Sequence, residues 1–269
     1  EAVEWAFQAP ASLSRLEDTF MAMFQAEWRL QRGDQTLRTI AIIDDQPDQQ
    51  YLAPEFELFK QMFARHGLRA VVADGADLQY RNGQLWIDEQ AIDLVYNRLT
   101  DFDLSEDRHE ALRRCYEAGD VVLTPSPRAH ALYADKRNLI TLSDDGLLHS
   151  WGVSQADRHM LQTVVPRTMD VNPQTATALW ANRKQYFFKP MAGYGAKGTY
   201  RGDKLTRRVW DAITAGGYVA QELVMPTERV VEVNGEASDL KFDLRAYVYD
   251  GQVQLMAARM YAGQTTNFR

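Results

Sequence analysis

The stretch Tyr186-Phe-Phe-Lys-Pro-Met-Ala-Gly-Tyr-Gly-Ala-Lys-Gly-Thr-Tyr200 constrains the fold more than any other part of the chain. Its apolar start predicts a strand that ends at Lys189, and its glycines predict a flexible loop before a second strand. Glycine lets backbone N–H groups approach an anion closely, and lysines add positive charge to such a loop. The stretch therefore predicts a phosphate-binding loop between two strands. The alternative interpretation is a mobile hairpin with solvated lysines.

Two common phosphate-binding loops do not fit this stretch. A Walker-type loop needs Gly-Lys-Ser/Thr at the opening of a helix, and that motif is missing here. A dinucleotide fingerprint also needs a helix after the glycines, whereas the sequence predicts a strand.

Three further segments flank the glycine loop. Ala134-Asp-Lys-Arg-Asn138 lies about fifty residues upstream and predicts the start of a helix. Tyr218-Val-Ala-Gln-Glu-Leu-Val224 predicts a strand that leads into a new lobe. Lys241-Phe-Asp-Leu-Arg-Ala-Tyr-Val248 predicts another strand, with polar residues alternating among apolar ones.

The order and spacing of these segments resemble the ATP-grasp superfamily, which includes D-alanine–D-alanine ligase, glutathione synthetase and the ligases that add glutamate to protein tails. The resemblance covers roughly residues 90–269, and residues 263–269 resemble glutathionylspermidine-synthase-like proteins. It implies an ATP-dependent ligase that activates a carboxylate as an acyl phosphate and couples it to an amine. The implied cofactors are ATP and Mg²⁺, and the implied partners are small-molecule or peptide carboxylates and amines. A phosphotransferase and a non-catalytic nucleotide-binding module are the alternatives.

The resemblance also implies roles for individual residues. The residues implied to contact phosphates are Lys136, Lys189, Gly193, Gly195, Lys197 and Gly198. Those implied to line the adenine and ribose are Gln221, Glu222, Leu223, Val224 and Glu228. Those implied to act on the transferred phosphate or the substrate are Arg245, Arg259 and Arg269. The implied metal ligands are Asp243 and Asn267.

The metal site departs from the family pattern, in which a Glu-x-Asn pair on a late strand binds magnesium. No Glu-x-Asn follows Asp243, and Glu232-Val-Asn234 precedes it, where Asn234-Gly235 predicts a turn. Either the pair lies beyond Arg269 or Asn267 supplies part of the site.

The fold class expected is α/β. Strands and helices alternate up to about residue 128, which predicts a largely parallel sheet. The resemblance implies a pre-ATP-grasp substrate-side domain at 1–128, a first ATP-grasp lobe at 129–222 and the start of a second lobe at 223–269, with one or both chain ends expected to be missing.

Local patterns in the first 128 residues give more detailed expectations. They predict that residues 1–36 are helical, that residues 92–99 form one strand and that Ser105 caps a helix. Asn82-Gly83 and, later in the chain, Asp250-Gly251 predict tight hairpin turns. Asn97 and Arg98 either line a ligand site or form a loop cap and a surface ion pair. Asp44 and Asp45 either cap a turn or form a catalytic pair, and the turn cap is favoured. The histidines lack metal-ligand spacing and are expected at the surface or at helix ends.

Composition excludes several classes of protein. The 269 residues carry a net charge of −7, which disfavours general binding to nucleic acids or membranes. No apolar run is long enough to suggest a membrane span. The single cysteine, Cys115, is expected to pack in a helix and cannot form an internal disulfide. We therefore expect a cytoplasmic protein.

Overall fold

The computed structural model describes residues 15–233 and 236–262. In chain order the helices are α1 (Leu16–Arg32), α2 (Ala53–Arg65), α3 (Glu110–Glu117), α4 (Pro127–Tyr133), α5 (Asn138–Leu142), α6 (Asp145–Ser150), α7 (Gln155–Val164), α8 (Ala176–Ala181) and α9 (Arg207–Thr214). The strands are β1 (Thr39–Asp44), β2 (Arg69–Asp74), β3 (Leu78–Arg81), β4 (Gln84–Ile87), β5 (Gln90–Ile92), β6 (Leu94–Asn97), β7 (Val122–Thr124), β8 (Thr168–Asp170), β9 (Tyr186–Pro190), β10 (Tyr200–Arg201), β11 (Tyr218–Glu222), β12 (Thr227–Val233), β13 (Glu236–Tyr249) and β14 (Gln252–Tyr261).

The chain divides into two compact units. The first unit consists of Glu1–Ala131 and Leu244–Ala258, and the second consists of Leu132–Asp243 and Arg259–Arg269. Strands β13 and β14 therefore contribute residues to both units. Within the described residues, no helix is both long and apolar enough to cross a bilayer.

A parallel sheet in the order β2-β1-β6-β7 forms the centre of the first unit. All six residues of β1 are buried, as expected for a strand that is covered on both faces. Ile40 and Ile42 pack with Phe24 of α1 and Phe63 of α2. Ala41 and Ile43, which alternate with them, belong to a separate core cluster. Because successive side chains of a strand point to opposite faces, this one strand supplies both cores.

The core cluster that contains Ala41 and Ile43 also includes residues of α3 and of a small antiparallel sheet, β3-β4-β5. Asn82 and Gly83 join β3 to β4 with φ angles of 53° and 72°. Two successive positive φ angles are typical of the tight hairpin turn predicted there. Cys115 of α3 is fully buried, and burial raises the pKa of its thiol to about 12, which confirms its packing role.

Two local predictions for the first unit are wrong. Residues 92–99 form parts of two strands, because Asp93 interrupts them: its carboxylate accepts hydrogen bonds from the backbone N–H groups of Arg38 and Thr39 at 2.9 and 3.0 Å. Ser105 does not cap a helix, since α3 begins only at Glu110. Instead, the Asp101 carboxylate accepts hydrogen bonds from the backbone and hydroxyl groups of Ser105. Of the helix predicted over residues 1–36, the structure has α1, which ends at Arg32, and residues 1–14 lie outside the described part.

The second unit contains an antiparallel sheet in the order β10-β9-β11-β8. Phe188 of β9 and Ala220 of β11 lie on one face, where they pack with Leu179 of α8 and with Trp210 and Ile213 of α9. Helix α9 begins at a capping residue, Thr206, whose hydroxyl accepts a hydrogen bond from the backbone N–H of Val209. The opposite face carries the polar residues of the candidate site.

The antiparallel sheet β12-β13-β14 completes the described part. Asp250 and Gly251 join β13 to β14 with φ angles of 46° and 71°, as the predicted hairpin requires. The α/β fold class, with a parallel sheet followed by antiparallel sheets, is confirmed. The assignment of residues 1–128, 129–222 and 223–269 to functional domains stays a prediction.

Candidate functional site

Lys189 is the last residue but one of β9, and it lies on the polar face of the sheet in the second unit. Its neighbour Phe188 is fully buried in the core, so the alternation of the strand directs Lys189 to the other face. The ammonium Nζ donates a hydrogen bond to Oε1 of Gln221 at 2.6 Å. Burial lowers the pKa of Lys189, and the positive charge of Lys136 lowers it further.

Lys136 lies in the turn that precedes α5 and contacts the start of the glycine loop. Its backbone N–H donates to the carbonyl oxygen of Met191 at 3.0 Å, and its Nζ donates to the carbonyl oxygen of Gly193 at 3.2 Å. Burial also lowers the pKa of Lys136, against a smaller opposing effect of Asp135. The structure thus brings the two predicted phosphate lysines to one loop, although they are far apart in sequence.

The glycine loop, residues 193–198, connects β9 to β10 and is largely exposed. Gly193, Gly195 and Gly198 all have positive φ angles, so the conformation uses the freedom that the glycines supply. At Gly198 an added Cβ would also lie 3.1 Å from the hydroxyl oxygen of Tyr218. Lys197 contacts Tyr194 within the loop, with its Nζ 3.1 Å from the hydroxyl oxygen and 4.6 Å from the ring centroid.

The end of β11 and the segment that follows it hold most of the residues expected to line the adenine and ribose. The backbone N–H of Glu222 donates to the carbonyl oxygen of Arg167, and that of Leu223 donates to the carbonyl oxygen of Gln185. Val224 is exposed, as is Glu228, which lies on β12 opposite Lys241. These contacts fix the backbone of the segment and leave its last residues accessible.

Comparisons with known proteins agree with this fold. No protein-family model and no curated protein matches the chain. Among solved structures, it is similar to a glutathione synthetase-like effector, GSS30, of Globodera pallida, with 14% identity and a TM-score of 0.53. That similarity covers 85% of this chain but only 52% of GSS30, so the chain spans about half of that structure's length.

Two other solved structures show related similarities. One is named as a gamma-glutamylcysteine synthetase of Methylobacillus flagellatus KT, with 14% identity, a TM-score of 0.51, and coverage of 92% of this chain and 69% of that one. The other is the ATP-grasp ligase PsnB with a precursor variant, Mg and ADP, with 17% identity, a TM-score of 0.45, and coverage of 84% and 77%. The chain has an ATP-grasp-like fold.

This ATP-grasp-like chain pairs the predicted metal ligand Asp243 with the predicted substrate residue Arg259. The Arg259 guanidinium donates from Nε and Nη2 to the two carboxylate oxygens of Asp243 at 2.9 and 2.8 Å. Such a bidentate pair engages both oxygens, so a metal ion bound to Asp243 would share the carboxylate with Arg259. Arg245 is exposed on β13, 5.8 Å from the Tyr247 ring centroid. Asn267 and Arg269 lie outside the described residues.

In the first unit, Asn97 at the end of β6 and Arg98 directly after it have structural partners. The Asn97 side chain accepts a hydrogen bond from the backbone N–H of Leu99 and donates to the carbonyl oxygen of Pro125. Arg98 forms an ion pair with Glu55 at 3.0 Å. Of the two interpretations of Asn97 and Arg98, these contacts are those of a loop cap and an ion pair.

Sequence reasoning missed a buried charged cluster beyond the carboxyl end of β1. His109 is fully buried, with Nδ1 2.7 Å from Asp101 Oδ2 and Nε2 2.8 Å from Asp45 Oδ1. The expectation of a surface histidine is wrong here, although His109 does precede α3 and so lies at a helix end. Arg108 pairs with Asp45 as well.

Three residues at this cluster have side chains of the kinds that bind metal ions. Single donor atoms of Asp45, Glu106 and His109 lie within 4.8 Å of one another. The Asp45 oxygen is already shared by His109 and Arg108, so protein side chains occupy this donor atom in the structure. The signal that could have located it is the Asp44-Asp45 pair, because parallel strands gather polar residues at their carboxyl ends.

Proposed function

We propose that the protein is an ATP-dependent ligase that activates a carboxylate as an acyl phosphate and couples it to an amine. The observation that carries the proposal is the convergence of Lys136 and Lys189 at the start of the glycine loop. The positive charge of Lys136 lowers the pKa of Lys189, so this pair of lysines has an electrostatic reason to bind an anion, and a triphosphate is a dense one.

In this proposal, different segments of the second unit bind different parts of the nucleotide. Lys136, Lys189 and the backbone of residues 193–198 face the phosphates, and residues 221–224 with Glu228 line the adenine and ribose. Magnesium bound to the nucleotide would neutralise part of the phosphate charge and favour transfer of the γ-phosphoryl group. The proposed ligand Asp243 would hold this ion with a carboxylate that also pairs with Arg259.

The chemistry needs no nucleophile from the protein. A carboxylate oxygen of the substrate attacks the γ-phosphorus of ATP, and ADP leaves. The amine nitrogen then attacks the acyl carbon, the C–O bond to phosphate breaks, and the amine loses a proton. The released phosphate keeps one oxygen of the original carboxylate. The residues of this chain hold the phosphates in place, which converts a bimolecular step into an intramolecular one.

Arg245, Arg259 and Arg269 are the residues that we propose for the transferred phosphate and the substrate. Their guanidinium groups can bind a carboxylate or a phosphate through two parallel hydrogen bonds. Small molecules and peptides with a free carboxylate are both suitable substrates. The buried thiol of Cys115 has no disulfide partner, which agrees with a reaction in the cytoplasm.

The Asp243–Arg259 pair favours a second candidate function, non-catalytic binding of a nucleotide. A site without an available metal carboxylate would retain ATP through the lysines and not turn it over. A phosphotransferase, which would stop after phosphorylating its acceptor, is the third candidate.

An isotope experiment distinguishes these functions. The protein is incubated with ATP, Mg²⁺, amines, and a panel of amino acids and peptides whose carboxylates carry ¹⁸O. A ligase releases ADP and inorganic phosphate that contains one ¹⁸O atom, detected by its ³¹P NMR shift. Unlabelled phosphate indicates simple hydrolysis, a phosphorylated acceptor without free phosphate indicates a phosphotransferase, and bound ATP without turnover indicates a binding module. Each of these three results contradicts the ligase proposal.

A further inference from the structure

Three side chains form a row of hydrogen bonds across the antiparallel sheet of the second unit. Lys189 on β9 donates to Oε1 of Gln221 on β11 at 2.6 Å. Gln221 donates from Nε2 to Oγ1 of Thr168 on β8 at 3.0 Å. Thr168 donates its hydroxyl proton to the carbonyl oxygen of Pro166 at 3.0 Å. All donors in the row therefore point in one direction, from the ammonium group towards the main chain.

The register of the sheet places the row on the face opposite the core. Gln221 pairs directly with Thr168 on one side and with Phe187 on the other. Lys189 is two residues from Phe187, so it points to the same face. Gln221 is 8% exposed and Thr168 is 3% exposed. Because buried polar groups are costly to leave without partners, this row has little freedom to rearrange.

Thr168 and Lys189 require the same orientation of the Gln221 amide. An amide has an acceptor oxygen at one end and an NH₂ donor at the other. The single hydroxyl proton of Thr168 is used on Pro166, so Thr168 can offer Gln221 only a lone pair. The NH₂ group must therefore face Thr168, and the oxygen must face Lys189. A second hydrogen bond holds the Thr168 backbone, whose N–H donates to Ser143 Oγ at 3.1 Å.

The neutrality of Gln221 matters for anion binding. A carboxylate in its place would also hold the ammonium group, but it would cancel the charge of Lys189 and repel an incoming phosphate. An amide oxygen accepts a hydrogen bond from one N–H group of the ammonium and leaves the charge available. Lysine has three such protons, so two remain for a ligand.

We infer that Gln221 and Thr168 are positioning residues, which hold the Lys189 ammonium group charged and oriented for a phosphate-bearing ligand. The inference rests on the proposed function, in which Lys189 binds the phosphates of ATP. Gln221 acts by direct contact with Lys189, and Thr168 acts through Gln221. The side chain of Gln221 thus has a role separate from the adenine-facing backbone of residues 221–224.

Three variants test the inference. Thr168→Val keeps the shape of the side chain and removes the hydroxyl, Thr168→Ser is the matched control that keeps the hydroxyl, and Gln221→Glu adds a negative charge at constant size. Two quantities are measured for each: the affinity for a non-hydrolysable ATP analogue with Mg²⁺, by calorimetry, and the titration of Lys189, by NMR of ¹³C-labelled lysine. The Lys189→Arg variant assigns the resonance.

We expect Thr168→Val to weaken analogue binding by about 5- to 10-fold and to shift the titration of Lys189, because one buried hydrogen bond orients the row. Thr168→Ser should match the parent in both measurements. Gln221→Glu should raise the pKa of Lys189 while weakening analogue binding by about 10-fold or more. If Thr168→Val does not fold, Gln221→Glu decides the question.

Two results would overturn the inference. One is a parent-like affinity and an unchanged Lys189 titration in Thr168→Val or Gln221→Glu. The other is an equal loss in Thr168→Ser and Thr168→Val, which would show that packing is responsible. A different result would overturn the proposed function. In that case Lys189→Ala would bind the analogue as tightly as the parent, or the parent itself would not bind it. The Lys189 titration would then still decide whether Gln221 and Thr168 hold the ammonium group.

Discussion

The positive charge of Lys136 lowers the pKa of Lys189, although the two residues come from different segments of the second unit. Neither lysine has its charge cancelled by its hydrogen-bond acceptor, since Lys136 Nζ donates to a backbone carbonyl and Lys189 Nζ donates to an amide. Two neighbouring cations held by neutral acceptors form a site that a polyphosphate would stabilise.

The two lysines should contribute to nucleotide binding together. Lys136→Ala and Lys189→Ala should each weaken binding of a non-hydrolysable ATP analogue by about 1.5–3 kcal/mol, the usual contribution of a hydrogen bond to a charged group. The double variant should lose no more than the sum, because both lysines contact one ligand. Calorimetric titration measures all three affinities, and Lys204→Ala, at an exposed position of the same unit, is the control. Parent-like affinity in both single variants would contradict the shared-phosphate geometry.

Nucleotide affinity should fall at a lower pH than it would if Lys189 had the pKa of an exposed lysine. Burial and Lys136 both lower the pKa of Lys189 from its usual value of 10.5, so the residue loses its charge at a lower pH than an exposed lysine does. Anion binding requires the charged form, and it is therefore complete below this pKa and lost as the pH rises through it. Titrations of the analogue from neutral to alkaline pH measure the effect. Lys189→Arg should shift the loss to higher pH, because arginine stays protonated. An identical profile for parent and variant would show that Lys189 is not the titrating group.

The glycine loop should be protected by nucleotide. Residues 193–198 are mostly exposed, and Lys197 offers a site for trypsin. If the loop closes over the phosphates, ATP with Mg²⁺ should slow cleavage after Lys197. Limited proteolysis followed by mass spectrometry measures this rate, and Lys197→Gln, which removes the site, identifies the fragment. Equal rates with and without nucleotide would count against a closing loop.

Those parts of the structure that depend on neighbours in sequence could be predicted. Asn82-Gly83 and Asp250-Gly251 readily adopt the positive φ angles that tight hairpin turns need. The alternation of side chains along the strand, with Phe188 in the core, places Lys189 on the opposite face. The approach of Lys136 to Lys189 was expected only from resemblance, because a contact across so many residues leaves no local pattern.

The missed features share one physical cause. His109 is buried because Asp45 and Asp101 supply carboxylates from distant positions, and a lone histidine in the sequence does not reveal such partners. The same holds for Thr168, whose partner Gln221 is reached only through the strand pairing of β8 with β11. Long-range pairing determines both sites.

The buried pair of Asp101 and His109 should make the stability of the first unit depend on acid pH. The carboxylate of Asp101 is buried, which by itself raises its pKa. The hydrogen bonds from His109 and from the backbone N–H groups of Glu106 and Ser105 outweigh that effect and lower the pKa from 3.8 to about 2. A carboxylate whose pKa is lower in the folded state contributes stability above its unfolded pKa, and the contribution is lost as the pH falls through the folded value.

Asp101→Asn should therefore lower the free energy of unfolding by on the order of 2 kcal/mol at pH 7, and the difference from the parent should shrink between about pH 4 and pH 2. Urea denaturation of both proteins at several pH values measures this difference. Asp107→Asn, at an exposed position before α3, is the matched control and should behave like the parent at every pH. A loss in Asp101→Asn that stayed constant down to pH 2 would show that packing, and not the ionised carboxylate, supplies the stability at this position.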